Sequence, residues 1–389
     1  MNIGIEAQRL FRKKKHGMDI VAAELICALQ KLDTENNYFI FVKKNKYKGI
    51  IKETPNFKII EIPHAPYPIW EQILLPLFIR KYKLDFIHFT ANTAPLFLSI
   101  PFLVTLHDVI FMETFNFVKG SLYQRLGNLY RWFIVPRIIR KANFVGTVSN
   151  TEKNIAIDRF PFLTDKIQTY YNAVGRLYQS NGMEPNYGKI DKYNINEPYI
   201  LALGSSDPRK NTKNIVKAFL TISEEFPDLK LVITDLERSV IYKMMGKERK
   251  KDSLKNIITL GYVPNNQLPY LYRNARLFMF PSTRESFGIP VLEAMACGTP
   301  LITSNITSMP EIVDDAAIKV NPFDVNEISE AMRVLLTNNS FRKELILKGT
   351  ERVQFFSYEL TAKKWIECYK SLYSEKYKKS TEKLSIKTL

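Results

Sequence analysis

The stretch "RESFGIPVLEAMACGTP" carries two acids, Glu285 and Glu293, with a phenylalanine, a glycine and a proline between them. It follows an apolar run, "ARLFMFP". Ser282 to Gly288 therefore reads as a loop, with Pro290 at the first helical position and Gly298 just past the helix end. On this spacing Glu285 lies in the loop and Glu293 in about the first turn of a short helix, so both point into one crevice at a strand end. The backbone N–H groups of that helix start, approached closely over Gly288, suit a phosphate. A plainer reading of the same residues stays open: Glu293 complements the helix dipole, and Glu285 is a solvated loop acid.

A second cluster, "LALGSSDPRKNTKN", ends a strand at Gly204 and places Arg209 and Lys210 in the turn into the next helix. Paired cations there suit a diphosphate, because the Arg fork holds two oxygens while Lys supplies a mobile charge. A solvated turn is the alternative. In "VTLHD", His107 and Asp108 stand at another strand end, where a lone His beside an Asp more often satisfies local backbone than catalyses. The loop "RLFRKKKHGMD" sets Arg9, Arg12, Lys13, Lys14, Lys15 and His16 before Gly17 and a helix start. The chain has no Asp-x-Asp pair to hold a metal on a nucleoside diphosphate, no Walker loop, no His-Glu-x-x-His helix and no Gly-x-Gly-x-x-Gly turn. Metal-free handling of a diphosphate by Arg, Lys and a helix N-terminus is what remains, with no cofactor.

These residues need elements to hold them, and the sequence alternates short β-branched or aromatic runs with helical periods. "NIGIEA", "NYFIFV", "FKIIEI", "FIHFT", "FLVTLHD" and "NFVGTVS" are strands; "GMDIVAAELICALQKL" is a helix burying Ile20, Ala23, Leu25, Cys27 and Leu29. From Asn172 to Pro198 the period lapses into an Asn-, Gly- and Tyr-rich linker, after which "YILALG", "LKLVITD", "NIITLGYV", "ARLFMFPS" and "TPLITSN" begin a second alternation. The expected architecture is α/β: two Rossmann-like domains facing a cleft, at 1–174 and 198–356 with a linker at 175–197. A helix through Leu360, Trp365, Ile366, Tyr369 and Leu372 follows, with the final dozen residues frayed.

The chain has 389 residues, 46% of them hydrophobic, enough for two cores, and a net charge of +17 that either has a bland explanation or suits nucleic acid, anionic lipid headgroups or phosphorylated small molecules. No zinc-finger spacing or RNA-binding signature accompanies that charge, so nucleic acid is disfavoured. Cys27, Cys297 and Cys368 form no disulfide or metal spacing, and the N-terminus has no secretory pattern, which together suit a cytoplasmic protein.

At this point the chain resembles a family 4 glycosyltransferase of the GT-B fold. The likeness is strongest in "LGYVPNNQLPYLYRNARLFMFPSTRESFGIPVLEAMACGTPLITSN" and "MPEIVDDAAIKVNP", with weaker support from "GSSDPRKN", "TLHD" and "TVSNTEKNI". The resemblance implies a retaining enzyme whose second domain binds a nucleotide-sugar and whose C-terminal helix crosses back to complete the first domain. Glu285 would contact the transferred sugar, with Ser286, Phe287, Gly288 and Ile289 beside it. Glu293 would bind the ribose, and Arg209 and Lys210 the diphosphate, with Gly204, Tyr262 and Val263 lining the donor. His107 would face the sugar from the first domain, and Gly17 would lie where the first loop meets phosphates or acceptor. Three departures stand out: Ser286 replaces a usual glycine, Asp235 follows "LVIT" where a glycine is common, and Gly17 is alone in its loop.

The leading expectation is transfer of a hexose or N-acetylhexosamine to a lipid-linked surface glycan, such as a capsule or O-antigen repeat. The rivals are a non-catalytic nucleotide-sugar or nucleic-acid binding module and a GT-B epimerase or phosphorylase. "PIWEQILLPLFIRKYK" and "YRWFIVPRIIRKANF" add an expected peripheral contact with an anionic membrane at the cytoplasmic face; the alternative makes Trp70, Leu74, Leu77 and Phe78 ordinary core.

Overall fold

The computed structural model describes residues 1–12, 17–45, 51–113, 122–178, 193, 195–246 and 254–385. The run Lys13 to His16 and most of the expected linker lie outside them. The chain forms two compact units, Met1–Asn172 with Tyr358–Leu389, and Ala173–Ser357.

The first unit is built on a sheet of β1 (Asn2–Glu6), β2 (Asn37–Lys43), β3 (Phe57–Ile62), β4 (Phe86–Phe89), β5 (Phe102–Leu106), β6 (Phe144–Thr147) and β7 (Ile167–Thr169). Their order is β3-β2-β1-β4-β5-β6-β7 and every described pairing is parallel. The central strands are buried on both faces, which is why "FIHF" and "FLVTL" read as continuous apolar runs rather than alternating ones. The sheet of the second unit holds β8 (Tyr199–Leu203), β9 (Lys230–Thr234), β10 (Ile257–Thr259), β11 (Leu277–Phe280), β12 (Leu301–Ser304) and β13 (Ile318–Val320), ordered β10-β9-β8-β11-β12-β13. The order reverses between β1 and β4 in one sheet and between β8 and β11 in the other. In such sheets the chain leaves adjacent strand ends in opposite directions and opens a crevice there.

Helix Gly17–Leu32 buries Ala22, Ala23, Leu25, Ile26, Ala28 and Leu29, while Ile20 and Cys27 are only partly covered. At the end of β6, Ser149 caps helix Asn150–Arg159 by accepting from the Glu152 N–H at 3.1 Å, so "SNTE" is a helix-start signal.

The helix 67–79 departs from its expected register. Its middle turn, Trp70–Leu74, is a π-turn closed by the Leu75 N–H on the Trp70 carbonyl, just ahead of Pro76, which has no N–H to give. The extra residue puts Trp70, Leu75 and Ile79 on the buried face. Leu77, expected beside Trp70 in a regular helix, is exposed instead, and Leu74 and Phe78 are half-buried.

Helix Tyr358–Ser385 belongs to the first unit and extends through much of the stretch expected to fray. Trp365 stacks on Tyr170 with centroids 3.8 Å apart and lies 4.1 Å from the His88 ring. Gly146 makes the space: a Cβ there would stand 2.5 Å from the indole edge. His88 Nδ1 bonds the Tyr369 hydroxyl at 2.7 Å and Nε2 the Thr105 hydroxyl at 2.8 Å.

Burial, with a smaller push from His107, holds the His88 imidazole down at about 3. The unfolded chain would protonate it near 6.5, so this contribution to stability is full above that pH and is lost as pH falls towards 3. The expected slope is about 1.4 kcal/mol per pH unit over that window. Denaturant midpoints at descending pH should fall less steeply for His88→Gln than for the native chain; equal slopes would contradict the assignment.

Candidate functional site

In the second unit the loops beyond β8, β11, β12 and β13 are tied into one piece. Asn211, held at φ 58°, donates from its side chain to the Pro281 carbonyl at 2.9 Å and the Pro322 carbonyl at 2.6 Å. The Thr283 N–H reaches the Arg209 carbonyl at 2.8 Å, and the Ser308 hydroxyl reaches the Glu285 carbonyl at 3.1 Å.

On this base Lys210 Nζ donates to Glu285 Oε1 at 2.6 Å, joining the two sequence clusters. The Glu285 side chain is 11% exposed and that of Lys210 35%, so the pair is partly screened from water and has one accessible side. Arg209 is held differently: its fork grips Asp207, with Nη2 to Oδ2 at 2.5 Å, and Asp207 also accepts from the Arg209 N–H. The guanidinium beside Asp207 keeps that carboxyl below its ordinary range despite partial burial. The turn thus presents an oriented Arg rather than a freely solvated one.

Gly288 caps helix Ile289–Ala296 at φ 91° and ψ 52°. That left-handed conformation alone favours glycine, and a Cβ would also meet the Met309 methyl at 2.3 Å. Pro290 therefore comes second in the helix, and Glu293 is its fifth residue, one residue later than with Pro290 first and still about one turn in, as the spacing suggested. Glu293 accepts from the Tyr272 hydroxyl at 3.0 Å and also bonds Tyr178. Burial pushes its carboxyl up to about 7, against the pull of the two tyrosines. Phe287 is core, packed edge-on to Phe356, and Ser286 is half-buried beside it. Gly204 is crowded by Ile233, Leu236 and the Thr234 carbonyl, so its lack of a side chain serves the close approach of β9. Beyond β10, Tyr262 is 55% exposed while Val263 is buried.

The family described as "Glycosyltransferase Family 4" matches residues 16–175, and that described as "Glycosyl transferases group 1" matches residues 188–352. The chain belongs to family 4 of the glycosyltransferases. The O-antigen chain mannosyltransferase B of Escherichia coli is 32% identical over 59% of this chain and 61% of its own length. The serotype-specific mannosyltransferase WbdA of Escherichia coli is 29% identical over 62% of this chain and 31% of its own length. The matches therefore span less than two thirds of either relative. Among solved structures, the sucrose-phosphate synthase of Thermosynechococcus elongatus superposes with a TM-score of 0.71 at 19% identity, covering 96% of this chain and 99% of that one, which shows the shared fold.

Within this family 4 chain, His107 is buried at the end of β5. Its N–H donates to Asn92 Oδ1 at 2.7 Å and its Nε2 to the Thr90 carbonyl at 2.8 Å. A carbonyl only accepts, so Nε2 carries the proton and Nδ1 is left as the acceptor. Burial lowers the imidazole's pKa, outweighing the Thr90 bond and the Asp108 charge, which favours this neutral form. Gly17 opens its helix in open space, and no crowding there demands a glycine.

Sequence reasoning missed a pocket at the reversal point of the first sheet. The pocket is partly open, about 370 Å³ counting the solvent at its mouth, and is lined by Arg9 and Asp19 from the two ends of the basic loop segment and by Glu6, Gln8, Tyr67 and Thr90, which no motif joins to them. Glu6 accepts from the Gln8 N–H at 2.8 Å, and burial pushes its carboxyl up to about 7. The glycine expected after β9 is replaced by Asp235 at φ 59°; Asp is one of the few other residues that tolerates this conformation.

Proposed function

We propose that this chain transfers a mannosyl residue, with retention of configuration and without a metal, from a nucleoside-diphosphate sugar to a hydroxyl of a growing surface glycan carried on lipid. The observation that carries the reading is the 2.6 Å contact of Lys210 with Glu285 at the β8/β11 reversal point, where a cation for phosphate and an acceptor for sugar hydroxyls meet. The mannosyltransferase relatives support the choice of sugar, and the O-antigen relative supports a glycan acceptor.

In this reading Arg209 and Lys210 bind the diphosphate, Glu285 accepts from hydroxyls of the sugar, and Glu293 accepts from the ribose. The acceptor oxygen bonds to the anomeric carbon on the face from which the diphosphate departs. The anomeric C–O bond breaks towards phosphate, and the acceptor proton passes to the leaving phosphate oxygen. Negative charge grows on the diphosphate in that step, so the two cations stabilise the transition state more than the ground state.

The test is a thermal-shift panel of nucleoside diphosphates and their sugars with EDTA or magnesium, followed by nucleoside-diphosphate release on adding a lipid-linked glycan. A donor at a hundred times its Kd stabilises the native state by about 2.7 kcal/mol. One mannosyl donor should raise Tm equally with magnesium or EDTA and be consumed only with acceptor. A shift lost in EDTA would overturn the metal-free step, and donor binding without turnover would favour the binding-module reading.

A further inference from the structure

Two helices of the first unit expose apolar side chains that the fold leaves uncovered. On helix 67–79, Ile69, Ile73 and Leu77 are 45%, 54% and 50% exposed, spaced by four on the face opposite Trp70, Leu75 and Ile79. On helix Leu122–Lys141, Leu126, Leu129 and Phe133 recur on one face, each at least 45% exposed, with Trp132 beside them at 46%.

The two helices are fixed to each other through a buried carboxyl. Glu71 accepts from Tyr67 at 2.7 Å, from Thr93 at 2.5 Å and from Tyr130 of the second helix. Gln72 donates to the Tyr130 hydroxyl at 2.7 Å and accepts from the Leu96 N–H at 2.9 Å, which anchors the neighbouring Phe97, itself 83% exposed. The apolar side chains therefore stand on a rigid platform and not on a loose loop.

Charge is graded along the platform. Helix Leu122–Lys141 carries Arg125, Arg131, Arg137, Arg140 and Lys141 and no acid, and its exposed face passes from Leu129 and Phe133 to Arg137, Arg140 and Lys141. Helix 67–79 ends the same way, with Leu77 followed by exposed Arg80 and Lys81, and its sole acid is the buried Glu71. Arg137 lies 3.6 Å over the Phe133 ring and Lys141 5.1 Å over that of Phe97, so cations flank the aromatics they would accompany into headgroups.

We infer that this face docks on an anionic lipid bilayer, with Ile73, Leu77, Leu129 and Phe133 entering the interface and Arg137 and Arg140 meeting lipid phosphates. A protein of net charge +17 with an apolar stripe bordered by Arg and Lys is matched by such a surface. A second copy is disfavoured as occupant, because the two helices offer these cations no exposed acid: one has none and the other only the buried Glu71. No described helix is long and apolar enough to cross a membrane. The inference rests on the proposed function only in supplying a reason for docking, since the acceptor there is lipid-linked.

The experiment is vesicle co-sedimentation of the full chain without donor, comparing phosphatidylglycerol-containing with pure phosphatidylcholine vesicles at low and high salt. Binding should require the anionic lipid and low salt, and Arg137→Gln with Arg140→Gln should lower it about tenfold or more. Ile73→Ser with Phe133→Ser should lower it similarly, while both variants keep the native melting temperature. Trp70 and Trp365 are 0% and 1% exposed and already in apolar surroundings, so a change in tryptophan emission on binding reports Trp132 and should be a shift to the blue. Failure to bind anionic vesicles at low salt, binding without that shift, or a lipid-free dimer abolished by Ile73→Asp would each overturn the docking. None of these outcomes bears on donor turnover, which is measured separately.

Discussion

Replacing Lys210 with alanine is expected to lower kcat/KM for sugar transfer by about a hundredfold to a thousandfold, the effect of removing one donor aimed at developing charge. In barrier terms that is ~2.7–4 kcal/mol. The same change should cost little stability, because the lysine is 35% exposed and its pairing is partly screened. Glu285→Gln tests the other half of the contact: it keeps the shape and most of the hydrogen bonding but removes the charge that orients Lys210. A purely structural ion pair makes a different forecast, since combining Lys210→Met with Glu285→Gln would then restore activity. The reading here expects the double variant to stay as slow as the worse single one, as groups acting on one transition state do. Measured kcat/KM within threefold of native for Lys210→Ala would remove this residue from the chemistry.

Trp365→Ala should be the most damaging single truncation in the first unit. The indole is 1% exposed, stacked on Tyr170 and packed on His88, and its gap could not be filled by neighbours already fixed by hydrogen bonds. Such truncations cost about 3–5 kcal/mol. In a unit of this size each kcal/mol lowers Tm by about 2–4 °C. Hydrogen exchange separates this from a general loss: protection should fall in β4, β5 and β6 and be unchanged in β8 and β11. A uniform loss, or a cost below about 1 kcal/mol, would show that the helix is not held through this residue.

Much of this fold is legible in the sequence because buried parallel strands leave a direct mark. "FIHF", "YILAL" and "LFMF" are apolar on both faces, and the helices between them keep a 3.6 period, as Ile215, Phe219 and Ile222 do. Gly288 and Gly298 could be placed at helix ends, and both have positive φ. The errors have local physical causes. Gly288 occupies the cap itself, so the helix starts at Ile289 and not at Pro290, and Glu293 falls one residue late. The π-turn before Pro76 inserts one residue, so periodicity alone could not decide between the interfacial and core readings of Leu77, which the structure exposes. Other features were beyond reach because they are made by distant residues. The tyrosines on Glu293 come from positions 178 and 272, and the pocket around Glu6 joins a strand end to Asp19 and Tyr67. Gly146 carries no local sign of its partner, the indole of Trp365 far along the chain.

The discontinuity of the first unit also sets an order for its making. Residues of the second unit form one unbroken stretch, Ala173–Ser357, and can close their sheet as they leave the ribosome. Earlier residues wait longer, because the hollow between Gly146, Tyr170 and His88 is filled only when Trp365 and Tyr369 have been synthesised. At about 5–20 residues per second that interval lasts on the order of ten to forty seconds. During it the half made first has an unfilled aromatic seat, while the half made second can already be complete.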